Sequence, residues 1–295
     1  PRTLGVVLDN QGLVTLNQPL TLALGSADHT NSGTIDVSAA DFTLTQSGTT
    51  PTFTNTGTVT VGVGRTLSVS SGTFTQGGTL NGGGILTLTA NALAVFTNAF
   101  TLGTLNLTNS TANLATGVNL STATLALNLI GSTINGPGTV TNAAGQTLTL
   151  RTSNIAATSA LSNLGTLVVN GTVFVSGPLT TAAGSVIRLQ PDATTGSATL
   201  NTNNLTNNGA IELTSTGGAY NAVLNISSTW TNAVGGTISS LPGTGGSRTL
   251  TAELNNLGLV TVSGVQGLTI NRGNSAHANS GTLDISGGDL TLSQF

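Results

Sequence analysis

The 295-residue sequence contains no cysteine, no methionine and no lysine, and it has one tryptophan and one tyrosine. Without cysteine, disulfides, thiolate zinc sites, iron–sulfur clusters and thiol nucleophiles are excluded, and the redox compartment is left open. Charge is equally sparse. Six arginines stand against nine Asp and Glu, so about 5% of residues are charged, where a typical domain has roughly 25%. The arginines are scattered and the net charge is −3, so the chain lacks the clustered cations that neutralising nucleic-acid phosphates requires. No run of about 18 apolar residues is present, which leaves no membrane span in this segment. The sequence opens at Pro1 with neither an initiator methionine nor a signal peptide and is expected to be a piece of something larger. A hydrophobic content of 37% and a mean hydropathy of +0.26 argue against disorder, which goes with low hydrophobicity and high charge. The chain is expected to fold.

What the sequence does contain is 56 Thr, 40 Gly and 30 Asn, arranged as repeats. A short phrase recurs: Gly, any residue, an aliphatic, a mostly polar residue, an aliphatic. It reads Gly12-Leu13-Val14-Thr15-Leu16, Gly33-Thr34-Ile35-Asp36-Val37 and Gly57-Thr58-Val59-Thr60-Val61, and returns at Gly84, Gly103, Gly165, Gly209, Gly258 and Gly281. Weaker copies start at Gly138, Gly184 and Gly236, where Asn142, Arg188 and Ser240 replace the second aliphatic. The mean spacing is about 24 residues, and most gaps run from 19 to 27. The 35-residue gap from Gly103 to Gly138 is expected to hide an extra turn near Gly117-Val118-Asn119-Leu120.

Within the phrase, hydrophobicity alternates with period 2, which on a strand turns the aliphatic row inward and the Thr, Asp or Glu row outward. An Asn-containing corner often precedes the glycine, as at Thr54-Asn55-Thr56 and Asn255-Asn256-Leu257. Asn and Gly tolerate left-handed backbone, and Asn hydrogen-bonds nearby backbone groups, so sharp turns are expected there. A unit of this size with several short strands reads as one coil of a β-solenoid. Stacked coils would share a continuous aliphatic core, each coil supported by its neighbours. The expected fold is all-β, a right-handed parallel β-helix of about 12–13 coils forming one continuous segment over residues 1–295. At roughly 4.7–4.9 Å per strand, such a stack would be a rod on the order of 60 Å long.

A longer period lies above the short one. NSGTIDVSAADFTLTQ at 31–46 returns as NSGTLDISGGDLTLSQ at 279–294, with ten of sixteen positions identical at an offset of 248. Leu8 to Leu16 likewise matches Leu254 to Val262, at an offset of 246. The two-residue difference is most simply absorbed in a corner. A block of about 248 residues therefore restarts near residue 250, and several such blocks in tandem are expected in the parent protein.

With Asn corners, Gly-aliphatic strands and coils of this size, the chain resembles the right-handed parallel β-helix passengers of large bacterial surface proteins, the filamentous-haemagglutinin-like and autotransporter adhesins. The resemblance covers essentially the whole chain. It implies export across a Gram-negative envelope and display as a long fibre at the cell surface.

Similar architectures also occur in polysaccharide lyases and hydrolases, which need a positioned base with cationic groups, or paired carboxylates at a set separation. The nine carboxylates are mostly far apart in the coil count. The tightest constellation is Asp28-His29 with Asp36 and Asp41; His29, Asp36 and Asp41 recur as His277, Asp284 and Asp289, whereas Asp28 aligns with Ala276. Asp36, Asp41, Asp284 and Asp289 are weak candidates for an oxygen-rich cation site. The plainer reading makes Asp36 an outward strand residue and Asp41 a corner residue accepting backbone amides, with His29 a solvated or corner histidine. The Gly82-Gly83-Gly84 run reads as a corner and not a phosphate loop, since neither lysine nor helix follows it. Phe42, Phe53, Phe74, Phe96 and Phe100 are expected inside successive coils. Trp230, Tyr220 and the phenylalanines are too spread for an obvious aromatic carbohydrate platform.

The expectation is a non-catalytic structural shaft of a giant secreted adhesin or extracellular filament, with no cofactor. The alternative is a carbohydrate-active β-helix, either a polysaccharide lyase or a carbohydrate-binding module. Expected partners are neighbouring repeat blocks and further copies associating end to end or laterally. Nucleic acid is not among them, and a cell-surface or glycan ligand is expected elsewhere in the parent chain.

Overall fold

A computed structural model describes residues 2–293. Among these residues there is no helix, and the chain forms an all-β solenoid of about 13 turns whose stacked strands run parallel. Two compact units are distinguished, Pro1–Thr139 and Val140–Phe295.

In the first unit the coils lay strands on three faces, the first coils with one on each. One face stacks Leu20–Leu22, Phe42–Thr45, Thr66–Ser70, Ile85–Thr89, Thr104–Thr108 and Ala126–Ile130. A second stacks Asp28–Asn31, Thr52–Asn55, Thr73–Gln76, Leu93–Phe96 and Thr111–Leu114. The third stacks only four strands, Leu13–Thr15, Thr34–Val37, Thr58–Val61 and Thr79–Asn81.

Inward side chains follow the period-2 rule. Ile35, Val37, Leu44, Val59, Val61, Leu67 and Val69 are fully buried, and the alternate residues face out. Phe42, Phe53, Phe74 and Phe96 lie in the core, with Phe53 and Phe74 stacked at 5.9 Å between ring centroids. Phe100 is only half-buried and leans on Phe96, 4.6 Å away.

The second unit is built on the same plan. One face stacks Thr147–Arg151, Thr166–Asn170, Val186–Leu189, Ala210–Leu213, Thr237–Ser240, Leu259–Val262 and Thr282–Ile285. The other two faces are partly fused. Ala222–Asn232 and Arg248–Asn256 are long strands that run along both and pair with each other through a register break between Asn225 and Thr229. Trp230, on the first of these, is completely buried.

The structure sorts the phrases differently from the sequence. Gly12, Gly33 and Gly57 lead into the four-stranded face, but the next copy there is Gly78-Thr79-Leu80, while the strands after Gly84 and Gly103 belong to the face of Thr66–Ser70. The pattern is the same for any strand with one face in the core, so it marks strands without saying which face they take. At Gly184 the register is also shifted by one: Ile187 and Leu189 point inward, and Arg188 faces out. The long Gly103–Gly138 gap does contain a further turn, with strands Leu120–Ser121 and Ala126–Ile130.

Most glycines of the phrase serve a purpose other than left-handed backbone; Gly184, with a φ of 80° and no close neighbour, is an exception. Gly33, Gly57, Gly78, Gly258 and Gly281 do not have left-handed φ. A Cβ on Gly33 would collide with the carbonyl oxygen of Gly12, one on Gly57 with that of Gly33, and one on Gly78 with that of Gly57. The same holds for Gly281 against Gly258. Successive corners approach too closely for any side chain. Gly82 and Gly83, by contrast, have φ of 109° and 75° and form the expected corner.

Candidate functional site

The most regular polar feature is an asparagine ladder buried at one corner of each unit. In the first, Asn10 Nδ2 donates to Asn31 Oδ1 at 2.6 Å, Asn31 to Asn55 at 2.7 Å, and Asn55 to Gln76 Oε1 at 2.9 Å. In the second, Asn207 donates to Asn232 at 2.9 Å, Asn232 to Asn256 at 2.7 Å and Asn256 to Asn279 at 2.6 Å, and Asn142 donates to Asn163 at 2.7 Å. The second amide hydrogen goes to backbone of the following coil, for example Asn31 to the Thr58 carbonyl and Asn207 to that of Thr237. A buried primary amide must satisfy two donors and an acceptor. Stacking identical amides about 4.8 Å apart does so indefinitely. The Asn142 position, which interrupts the aliphatic pattern, is thus a ladder residue.

Several carboxylates are engaged by groups of their own or the next coil. Asp36 sits half-buried on the outward row of Thr34–Val37 and accepts the Ser38 N–H at 3.0 Å. Asp41 lies at the corner before the next face and accepts the Thr66 N–H at 3.0 Å. Asp284 and Asp289 are exposed in the coil 278–293. Asp28 accepts the Thr52 hydroxyl at 2.8 Å. Among the described residues no three His, Cys, Asp or Glu side chains come together as a metal-binding group. Two ion pairs cross the second unit, Arg151–Asp192 at 3.3 Å and Arg188–Glu212 at 2.6 Å. Burial acts to raise the Asp192 carboxyl, but hydrogen bonds from Thr195 and Thr194 and the Arg151 charge outweigh it and hold the group below its ordinary range.

His29 is neither solvated nor at a corner. It is 1% exposed, on the inward row of Asp28–Asn31, because the alternation that buries Asn31 also buries the residue two before it. Its Nδ1 accepts the Leu8 N–H, and its Nε2 is buried without a partner. Burial lowers its pKa from 6.5, with the Asp28 charge opposing in part. Arg248 is also buried, at 1% exposure, and burial lowers the pKa of its guanidinium. Its Nη1 donates to the Gly245 and Gly246 carbonyls, while Nε and Nη2 find no partner.

One recess was not marked by any sequence motif. It is a groove of about 350 Å³ on the second unit, mostly apolar and lined by residues including Phe174, Asn201, Thr202, Asn225, Thr251 and Arg272. Phe174 occupies the outward row of Thr172–Val175 and is 46% exposed. That phase was readable in Thr172-Val173-Phe174-Val175, where the flanking valines claim the core.

The scaffold is a parallel β-solenoid. Compared with known proteins, the chain matches no family model, and no curated protein or solved structure is significantly similar to it.

Proposed function

We propose that the chain is a non-catalytic structural segment of a giant secreted bacterial surface protein, the shaft of an adhesin or extracellular filament. The observation that carries this reading is that strand-pairing registers recur one long period apart, although the paired strands belong to different sheets in the two copies. Val14 pairs with Ile35 and Leu20 with Phe42; 246 or 248 residues on, Val260 pairs with Leu283 and Leu268 with Leu290. The two-residue difference falls in the corner between Leu16 and Leu20 against that between Val262 and Leu268. Gln294, the last residue of the second copy, lies outside the described residues. A block that restarts with the same registers lengthens a solenoid without redesign, since each coil needs only its neighbours.

The mechanism is mechanical. Backbone ladders, aliphatic rows and buried amide ladders run coil to coil, and the outside is a weakly charged coat of Thr, Ser and Asn. One outward column of the first unit reads Thr21, Thr43, Ser68, Thr87, Asn106, Asn128. Such a segment is a stiff spacer displayed outside the cell, and its partners are neighbouring blocks and further copies. The test is electron microscopy of the native material together with its intact mass. Fibres from a chain many times 295 residues support the shaft; a discrete single-block particle that degrades acidic polysaccharides overturns it.

A further inference from the structure

We propose that the groove between Phe174 and Arg272 binds a neutral linear polysaccharide along the flank of the second unit. The proposal stands apart from the shaft reading, since it concerns one side of a few coils and holds for a shaft or for a single-block particle.

The groove is a column of outward side chains from four successive coils. Phe174 pairs with Asn201, Asn201 with Asn225, and Asn225 with Thr251. Three strand spacings separate the ends of the column, roughly 14 Å, so the floor is long, narrow and straight. Phe174 offers a half-exposed ring at one end. Asn225 Nδ2 donates to Asn201 Oδ1 at 2.9 Å, and Asn201 Nδ2 to the Val173 carbonyl at 3.3 Å. This fixes both amide planes, and among the described residues no hydrogen bond engages Asn225 Oδ1 or the Thr251 hydroxyl.

One wall is held in place. The register break after Asn225 leaves residues 226–228 without partners in the following coil, although Ile226 still pairs with Thr202 of the preceding one. Arg272, more than forty residues on, donates to the carbonyls of Ile226, Ser227 and Ser228 at 2.9, 2.7 and 3.1 Å. The one charged side chain among the described residues lining the groove is therefore engaged with backbone, and nothing there calls for an anionic ligand. An apolar ring face, rigid amides and unpaired hydroxyl and carbonyl groups in a straight trough match a sugar chain. Its rings have apolar C–H faces to lay on an aromatic, and its hydroxyls both donate and accept. A peptide strand would need an open sheet edge for its backbone, and this trough lies on a face whose strands are already paired on both sides.

The test is affinity electrophoresis and titration calorimetry on the intact chain. Probes are hexasaccharides of β-1,4-glucan, β-1,4-mannan and β-1,4-xylan, with oligogalacturonate as the acidic arm. Saturable binding of at least one neutral probe is expected, weakened at least tenfold in Phe174→Ala and severalfold in Thr251→Val, with thermal unfolding unchanged in both surface variants. Thr251→Val keeps the test decisive if Phe174→Ala misfolds. Absence of binding to every neutral probe, binding to oligogalacturonate alone, or neutral binding indifferent to both substitutions overturns the proposal.

Discussion

The imidazole Nδ1 of His29 accepts the backbone N–H of Leu8 from the preceding coil at 3.0 Å. His277 does the same for Leu254 at 3.1 Å, so the long repeat is one of hydrogen bonds as well as letters.

The His29 bond makes the first unit sensitive to acid. To accept at Nδ1 the ring must be neutral and carry its proton on Nε2, which is buried and unpartnered. Protonation converts the acceptor into a donor facing another donor and buries a charge. Burial accordingly lowers the folded pKa from 6.5. The unfolded chain then binds the proton at a higher pH than the folded one, so this contribution is intact above about 6.5 and is lost as pH falls below it, down to the folded pKa. Urea midpoints at pH about 7.5 and about 5 should fall more for the wild type than for His29→Phe, which cannot titrate. Equal losses would refute the assignment.

The amide ladder should be costly to interrupt. Asn232 is fully buried, accepts from Asn207 and donates to Asn256. Asn232→Leu keeps the approximate volume but strands both neighbours, for an expected loss of about 3 kcal/mol or more. Asn232→Asp should be worse at neutral pH, because it turns a carboxylate oxygen toward the Asn256 carbonyl oxygen, and should recover in part once the carboxyl is protonated. Denaturant unfolding followed through the single buried Trp230 reports both. A ladder that tolerates Leu within about 0.5 kcal/mol is not structural.

Gly57→Ala tests the close approach of the corners. The added methyl meets the carbonyl of Gly33, and backbone cannot move aside as a side chain can. A loss of about 3 kcal/mol or failure to fold is expected. Gly12→Ala is the control: nothing lies within 4 Å of its added Cβ, and its effect should stay within about 1 kcal/mol. If the two variants are equally stable by calorimetry, crowding is not why glycine stands at Gly57.

The coils, the inward aliphatics and the long repeat were legible because they rest on local alternation and on self-similarity. Val14, Ile35 and Val59 could be placed in one row from their spacing alone. Which face a strand joins was not legible: Gly84 carries the same phrase as Gly57 but leads to another sheet, and only the stacking decides. His29 was misread because a polar residue on the inward row looks like a surface residue until its partner, Leu8, is known to lie one coil away. The Phe174 groove depends on Arg272 reaching back two coils to hold a bulge, a relation with no signature in sequence.

The last prediction concerns the coil 278–293. Ile35, Val37 and Leu44 are fully buried under Val59, Val61 and Val69 of the next coil. Their counterparts in the long repeat, Leu283, Ile285 and Leu292, are 43%, 48% and 56% exposed. They form an apolar surface edged by strands with unpaired N–H and C=O groups, a template for a further coil. The purified chain should therefore associate with rising concentration in sedimentation velocity. Ile285→Lys should suppress that association without lowering the unfolding temperature, because the residue packs on nothing above it. A chain that stays monomeric at every concentration, or associates equally well with lysine at 285, shows that this face does not receive a neighbour.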